Sequence, residues 1–171
     1  MRKTLRSALM CLWLGLSATG AMAASAPKAD LPDLENLPLA IPRPYDPSAD
    51  ADAQVDAAFA RARGSGKRVL IELGGNWCAD CIILTNVMRL PSVAPFIDAH
   101  YEVVLVDVGR FNRNLQIPAR FGFTHRLEGV PVVLVTDANG KLLNAGDTTA
   151  LVTSRSMSAQ AIVDWLARWA D

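Results

Sequence analysis

Trp77-Cys78-Ala79-Asp80-Cys81 stands between an apolar run, Arg68 to Leu73, and a helix-patterned segment that reaches Leu90. No other feature constrains the chain as tightly. Two cysteines three positions apart can close a disulfide across the first turn of a helix. A helix N-terminus carries unpaired backbone N–H groups and a partial positive charge. That field stabilises a thiolate, the reactive form of cysteine. The segment therefore reads as a redox pair that exchanges disulfides with other thiols, and the fold must supply a strand, a tight turn at Gly74-Gly75-Asn76 and a helix in that order.

The 171 residues are consistent with one domain. Arg2, Lys3 and Arg6 precede a short apolar core, Ala8 to Leu16, and Ala21-Met22-Ala23 supplies small residues where cleavage would fall. This is the pattern of a secretory signal peptide cut after Ala23; the alternative, a membrane anchor, needs about 20 apolar residues. Removing residues 1–23 leaves two cysteines, Cys78 and Cys81, and 14 basic against 17 acidic residues, a net charge of −3. An exported protein meets an oxidising compartment. One closely spaced pair closes too small a loop to add much chain-entropy stabilisation, so chemistry accounts for it better. The mild acidity argues against nucleic acid as a partner.

Residues 24–47 carry six prolines and little periodicity, an extended leader that Leu31, Leu34, Leu37 and Leu39 could dock. From residue 48 the pattern becomes regular. Ser48 is a candidate cap for a helix with Val55, Phe59 and Ala62 on one face and Gly64 to Gly66 as its stop. Arg68 to Leu73 suits a buried strand. A helix follows from Cys78 to Leu90, ended by Pro91, and Ser92 can cap a second through about Ala99. Tyr101 to Val108 is the next strand. Gly109 to Glu128 is irregular, with a turn of helix near Pro118 to Phe121. Val130 to Thr136, the turn Asp137 to Gly140 and a returning strand, Lys141 to Ala145, precede a last helix capped by Ser158. A sheet with helices on both faces fits this order.

With these elements in place the chain resembles the thioredoxin-fold family over roughly residues 66 to 170. The match rests on the strand–turn–helix around Trp77-Cys78-Ala79-Asp80-Cys81, on Gly129-Val130-Pro131 opening a later strand, and on Glu72, six residues before Cys78. The leading helix and the Pro91-Ser92 end of the redox helix are most similar to exported thioredoxin-like domains, such as the C-terminal domain of DsbD-type reductant transporters. The resemblance implies an α/β fold with a central mixed β-sheet flanked by helices on both faces. It also implies a cis-proline at Pro131 against a Cys78–Cys81 disulfide, and a buried acid at Glu72. The departures are Ala-Asp between the cysteines, Leu105 in place of the family's lysine near the buried acid, and a longer stretch between Val108 and Gly129.

Within that frame Cys78 is the nucleophile and Cys81 resolves the mixed disulfide. The alternative, a zinc half-site, needs four ligands, and neither His100 nor His125 has ligand spacing, so no metal or cofactor is expected. Asp80 near Cys78 disfavours the thiolate and points to a reducing pair; alternatively it is a solvated first-turn acid. Glu72 interrupts an apolar strand, where an unpartnered carboxylate is costly. Burial would raise its pKa and suit proton transfer with Cys81; alternatively the strand end is open and Glu72 is wet. Val130 and Pro131 would offer a bare backbone edge to a substrate strand, or Pro131 is an edge-strand proline. Trp77 would add an apolar docking surface. These residues predict an exported, monomeric thiol-disulfide oxidoreductase, periplasmic or secreted, that reduces or isomerises disulfides in other proteins and is recharged by a membrane reductant carrier of the DsbD type. The competing readings are a disulfide-donating oxidase and a non-catalytic thioredoxin-fold binding module.

Overall fold

The computed structural model describes residues 24–171; the expected signal peptide lies outside them. Helix α1 spans Ala51–Ser65, strand β1 Arg68–Gly74, helix α2 Ala79–Met88, helix α3 Ala94–His100, strand β2 Tyr101–Asp107, helix α4 Gln116–Ala119, strand β3 Val132–Thr136 and helix α5 Ala159–Arg168. The strands form one mixed sheet in the order β2-β1-β3. β1 runs parallel to β2 from Arg68↔Tyr101 to Gly74↔Asp107 and antiparallel to β3 from Val69↔Thr136 to Leu73↔Val132. The central strand is therefore the one that feeds the cysteine motif.

Side chains alternate across a strand, and β1 divides the interior accordingly. Val69, Ile71 and Leu73 join Val55, Ala58 and Ala62 of α1 in one core. Leu70 joins Leu84 and Val87 of α2, Ile97 of α3 and Ile162 and Leu166 of α5 in the other. Helices thus cover both faces. Period-two alternation also puts Glu72 on the Leu70 face, under α2.

Three local expectations are corrected and one open alternative is decided. The cap of α1 is Asp50, whose carboxylate accepts the Ala53 N–H at 3.0 Å; Ser48 instead closes a turn on Asp46, donating its hydroxyl at 2.6 Å. The cap position of α3 is Val93, because Ser92 Oγ is taken by the backbone N–H of Asp30 at 3.0 Å. The returning strand after β3 does not form: pairing is confined to a bridge between Thr136 and Leu142. Its place is taken by a side chain, as buried Asn144 accepts the Val135 N–H at 2.9 Å and donates to the Val133 carbonyl at 2.8 Å. The amide serves two groups of the strand edge, while the Leu143 N–H donates to the Val135 carbonyl and the Val133 N–H to the Thr148 carbonyl. Finally, the Pro-rich leader is docked. Ala29 and Leu37 are buried in the α2–α5 core, with Leu31 and Leu34 packed against it, while Leu39 stays exposed.

Two amides hold the leader's last stretch. Asn86 of α2 accepts the Ile41 N–H at 2.9 Å and donates to the Ile41 carbonyl at 3.0 Å. Asn76, in the turn before Trp77, treats Tyr45 the same way at 3.0 and 2.7 Å. Each pair of bonds imitates a strand ladder, so residues 41–45 are fixed to the elements that carry the cysteines.

Candidate active site

Cys78 and Cys81 are disulfide-bonded, with Cα atoms 5.3 Å apart. Cys78 is the N-cap of α2, and its sulfur accepts the Cys81 N–H at 3.1 Å. A thiolate at this position would face a backbone donor and the positive end of the helix. Cys78 keeps 5% exposure and Cys81 none, so the first cysteine is the less buried of the two.

The Val130–Pro131 peptide bond is cis. It lies against the pair, with the Val130 carbonyl oxygen 3.5 Å from Cys78 Sγ. β3 begins only at Val132. Val130 and Pro131 therefore meet Cys78 ahead of the strand rather than within it.

Glu72 is fully buried. Its two oxygens accept the Tyr45 hydroxyl at 2.6 Å and the Thr85 hydroxyl at 3.1 Å. Burial pushes its pKa up to about 8, with both hydrogen bonds pulling the other way. Burial and the neighbouring Glu72 charge raise the Tyr45 phenol well above its ordinary value. The alternative of a wet strand end is thereby removed. Gly74 explains the close approach: a Cβ there would overlap the Tyr45 hydroxyl and lie 2.8 Å from Cys81 Sγ. Phenol and sulfur fill the space that a methyl group would need.

Asp80 is not the solvated first-turn acid of the alternative reading. It is buried, accepts the Arg155 N–H at 2.9 Å and faces the Arg155 guanidinium at 3.4 Å. The guanidinium offsets a charge that the sequence argument left free to act on Cys78. Arg155 lies in the turn before α5, 75 residues away, and no local pattern connects the two.

Trp77 is 41% exposed and donates its indole N–H to the Gly109 carbonyl at 2.7 Å. Phe111 packs edge-on against it with ring centroids 5.8 Å apart. Arg110 lies over the Trp77 ring at 4.9 Å and Arg126 over Phe111 at 5.2 Å. The long segment between Val108 and Gly129 thus builds a basic, aromatic surface beside Cys78. His125 is exposed within it, and His100 pairs with Asp171 at 3.3 Å instead. Among the described residues no group of three His, Cys, Asp or Glu is arranged to hold a metal ion.

A parallel–antiparallel sheet whose central strand leads to a disulfide at the start of the next helix is the arrangement of a thioredoxin-like protein. The family profile described as thioredoxin-like matches residues 50–138, and the chain belongs to that family. It is 38% identical to a solved disulphide isomerase from Xylella fastidiosa Temecula1; the match covers 72% of this chain and 94% of that one, with a TM-score of 0.68. It is 36% identical over 85 residues to thiol:disulfide interchange protein DsbD 1 of Pseudomonas aeruginosa, covering 48% of this chain and 13% of that protein. The chain therefore spans only a small part of this larger relative.

The sequence reading missed Tyr45, Thr85, Asn76 and Arg155. The need for donors to Glu72 is legible, since a buried carboxylate requires them. The chain has two tyrosines, but nothing local says that the one in the proline-rich leader supplies the bond.

Proposed function

We propose that this chain is an exported thiol-disulfide oxidoreductase that reduces or isomerises disulfides in periplasmic proteins. Residues 1–23 act as a signal peptide cut after Ala23, 24–47 as a leader, and 48–171 as the thioredoxin-like domain. The observation that carries the reading is the Cys78–Cys81 pair at the start of α2, with its first sulfur beside the Val130 carbonyl.

In the reducing direction the Cys78 thiolate attacks one sulfur of a substrate disulfide. A bond forms between Cys78 and that sulfur, the substrate bond breaks, and the departing substrate thiolate takes a proton. Cys81 then gives its proton to Glu72 and attacks Cys78, which breaks the mixed disulfide and releases the second substrate sulfur as a thiolate that takes a proton from water. Two electrons have passed to the substrate, and Cys78–Cys81 is left oxidised. Trp77, Val130 and Pro131 hold the substrate segment, the backbone of Val130 pairing with it as an added strand. The DsbD and disulphide isomerase relatives support protein substrates, a periplasmic setting and recharging by a membrane reductant carrier of the DsbD type. The protein acts as a monomer and needs no cofactor.

A second reading, disulfide donation, is favoured by one observation. The Asp80–Arg155 pair weakens the acid's opposition to a Cys78 thiolate, and a stabilised thiolate makes an oxidant. The reduction potential of Cys78–Cys81, measured by equilibration with glutathione or dithiothreitol, separates the two. A value of about −250 mV or lower is the expected result; about −120 mV would mean that the protein makes disulfides.

A further inference from the structure

We propose that Tyr45 is a proton relay between Cys81 and Glu72, so that the leader supplies a working part of the active site. The inference rests on the reading above, in which Cys81 resolves the mixed disulfide and Glu72 receives its proton.

Three observations converge on the phenol. Its hydroxyl donates to Glu72 Oε1 at 2.6 Å. The same hydroxyl and Cys81 Sγ crowd the position that a Cβ on Gly74 would occupy. Its backbone is clamped on both sides by Asn76, one residue before Trp77. A tyrosine needed only for packing would not require its hydroxyl aimed at the fully buried Glu72 carboxylate. Thr85 reaches the other carboxylate oxygen, but its hydroxyl sits 3.0 Å from the Cys81 carbonyl and so ties the acid to the backbone of α2.

The relay moves two protons and leaves the tyrosine unchanged. The Cys81 S–H proton passes to the phenol oxygen as the phenol proton passes to Glu72. Cys81 becomes a thiolate, Glu72 becomes neutral, and Tyr45 begins and ends as a phenol. A phenol suits the task because its oxygen both donates and accepts. In the reverse reaction the same path returns the proton to Cys81.

The surroundings leave the acid to these partners. On β2 and β3 the residues in register with Glu72 are Leu105 and Val133, both apolar. α2 presents Thr85 and Cys81, and the leader presents Tyr45. Asp107, at the end of β2, adds negative charge near the phenol. Among the described residues no Lys, Arg or His forms an ion pair with Glu72.

The test follows single-turnover oxidation of the reduced chain by a peptide disulfide, separating formation of the mixed disulfide from its resolution across a range of pH. Tyr45→Phe should leave formation unchanged and slow resolution by roughly tenfold or more, within the span of general acid–base effects. The pH midpoint of resolution should move up, because the lost hydrogen bond had favoured the carboxylate. The slowing should persist above that midpoint. Tyr45→Phe in a Glu72→Gln background should add no further slowing. Wild-type resolution in Tyr45→Phe, or recovery to the wild-type rate above the midpoint, overturns the relay. Placing 3-fluorotyrosine at position 45 keeps ring and hydroxyl, so it tests the relay even if Tyr45→Phe folds poorly. The more acidic phenol should move the midpoint down, and an unmoved midpoint overturns the proposal. Slow Glu72→Gln with normal Tyr45→Phe sinks the relay alone, whereas normal resolution in Glu72→Gln sinks the parent reading of Glu72 as well.

Discussion

Behind the Cys78–Cys81 pair, Glu72, Tyr45 and Thr85 are buried and every side-chain oxygen has a partner. In front of it, Trp77 is exposed, and Arg110 and Arg126 lie over aromatic rings with no ion-pair partner among the described residues. The two sides differ in what water can reach. A dry pocket shifts a carboxylate's pKa and makes each hydrogen bond count. A wet surface does neither, but it leaves cations and ring faces available to a partner. On the proposed function, proton handling falls to the back of the site and recognition to the front.

The largest effects should come from the sulfurs that join the two sides. Cys78→Ser is expected to drop insulin reduction to the uncatalysed rate. Cys81→Ser should instead hold a mixed disulfide with a peptide disulfide, visible as a mass adduct that reductant removes. If Cys78→Ser formed the adduct and Cys81→Ser did not, the order of attack would be reversed.

At the back, Glu72 ties stability to pH. Its folded pKa of about 8 lies above the ordinary unfolded value near 4.3. The folded state therefore holds a proton that the unfolded chain has released between these values. Stability should fall as pH rises from about 4.3 to about 8 and then level off, by a few kcal/mol for a fully buried group. Glu72→Gln should flatten that decline in urea unfolding measured over the same range. An equal slope in wild type and variant would mean that the carboxyl is more hydrated than its burial implies.

Effects at the front should be smallest. Arg110→Ala and Arg126→Ala each remove one cation–π contact worth about 0.5–1 kcal/mol when exposed. They should raise KM for an acidic peptide disulfide a few-fold while leaving resolution and urea stability nearly unchanged. A fall in kcat with KM intact would place these arginines in proton handling and erase the division between the two sides.

Much of this division is legible along the chain. Glu72 stands out because it interrupts Arg68 to Leu73, and period-two alternation assigns its face. Cys78 stands out because two cysteines follow a glycine turn and precede a helical pattern. The resemblance to thioredoxin-fold proteins adds Val130-Pro131. What is not legible is the partner of each polar group. The Asp80 charge invites a statement about the Cys78 thiolate, but Arg155 arrives from 75 residues away and changes its meaning. Ser48 and Ser92 are sound caps by type, and each is diverted to another backbone or side-chain partner. Asn144 reads as a residue of a returning strand, yet it replaces that strand with its own amide.

The sequence by itself determined the strand–turn–helix that presents the cysteines, the alternation that buries Glu72, and the proline that opens the segment before β3. These follow from local periodicity, turn chemistry and backbone restriction, which act over a few residues. Only the tertiary structure decided that Tyr45 meets Glu72 across 27 residues, that Asp80 is paired with Arg155, and that a proline-rich leader is clamped to the redox helix by Asn76 and Asn86. Any of several donors could satisfy a buried carboxylate equally well. Which one arrives is set by how distant segments pack, and packing is a property of the assembled chain.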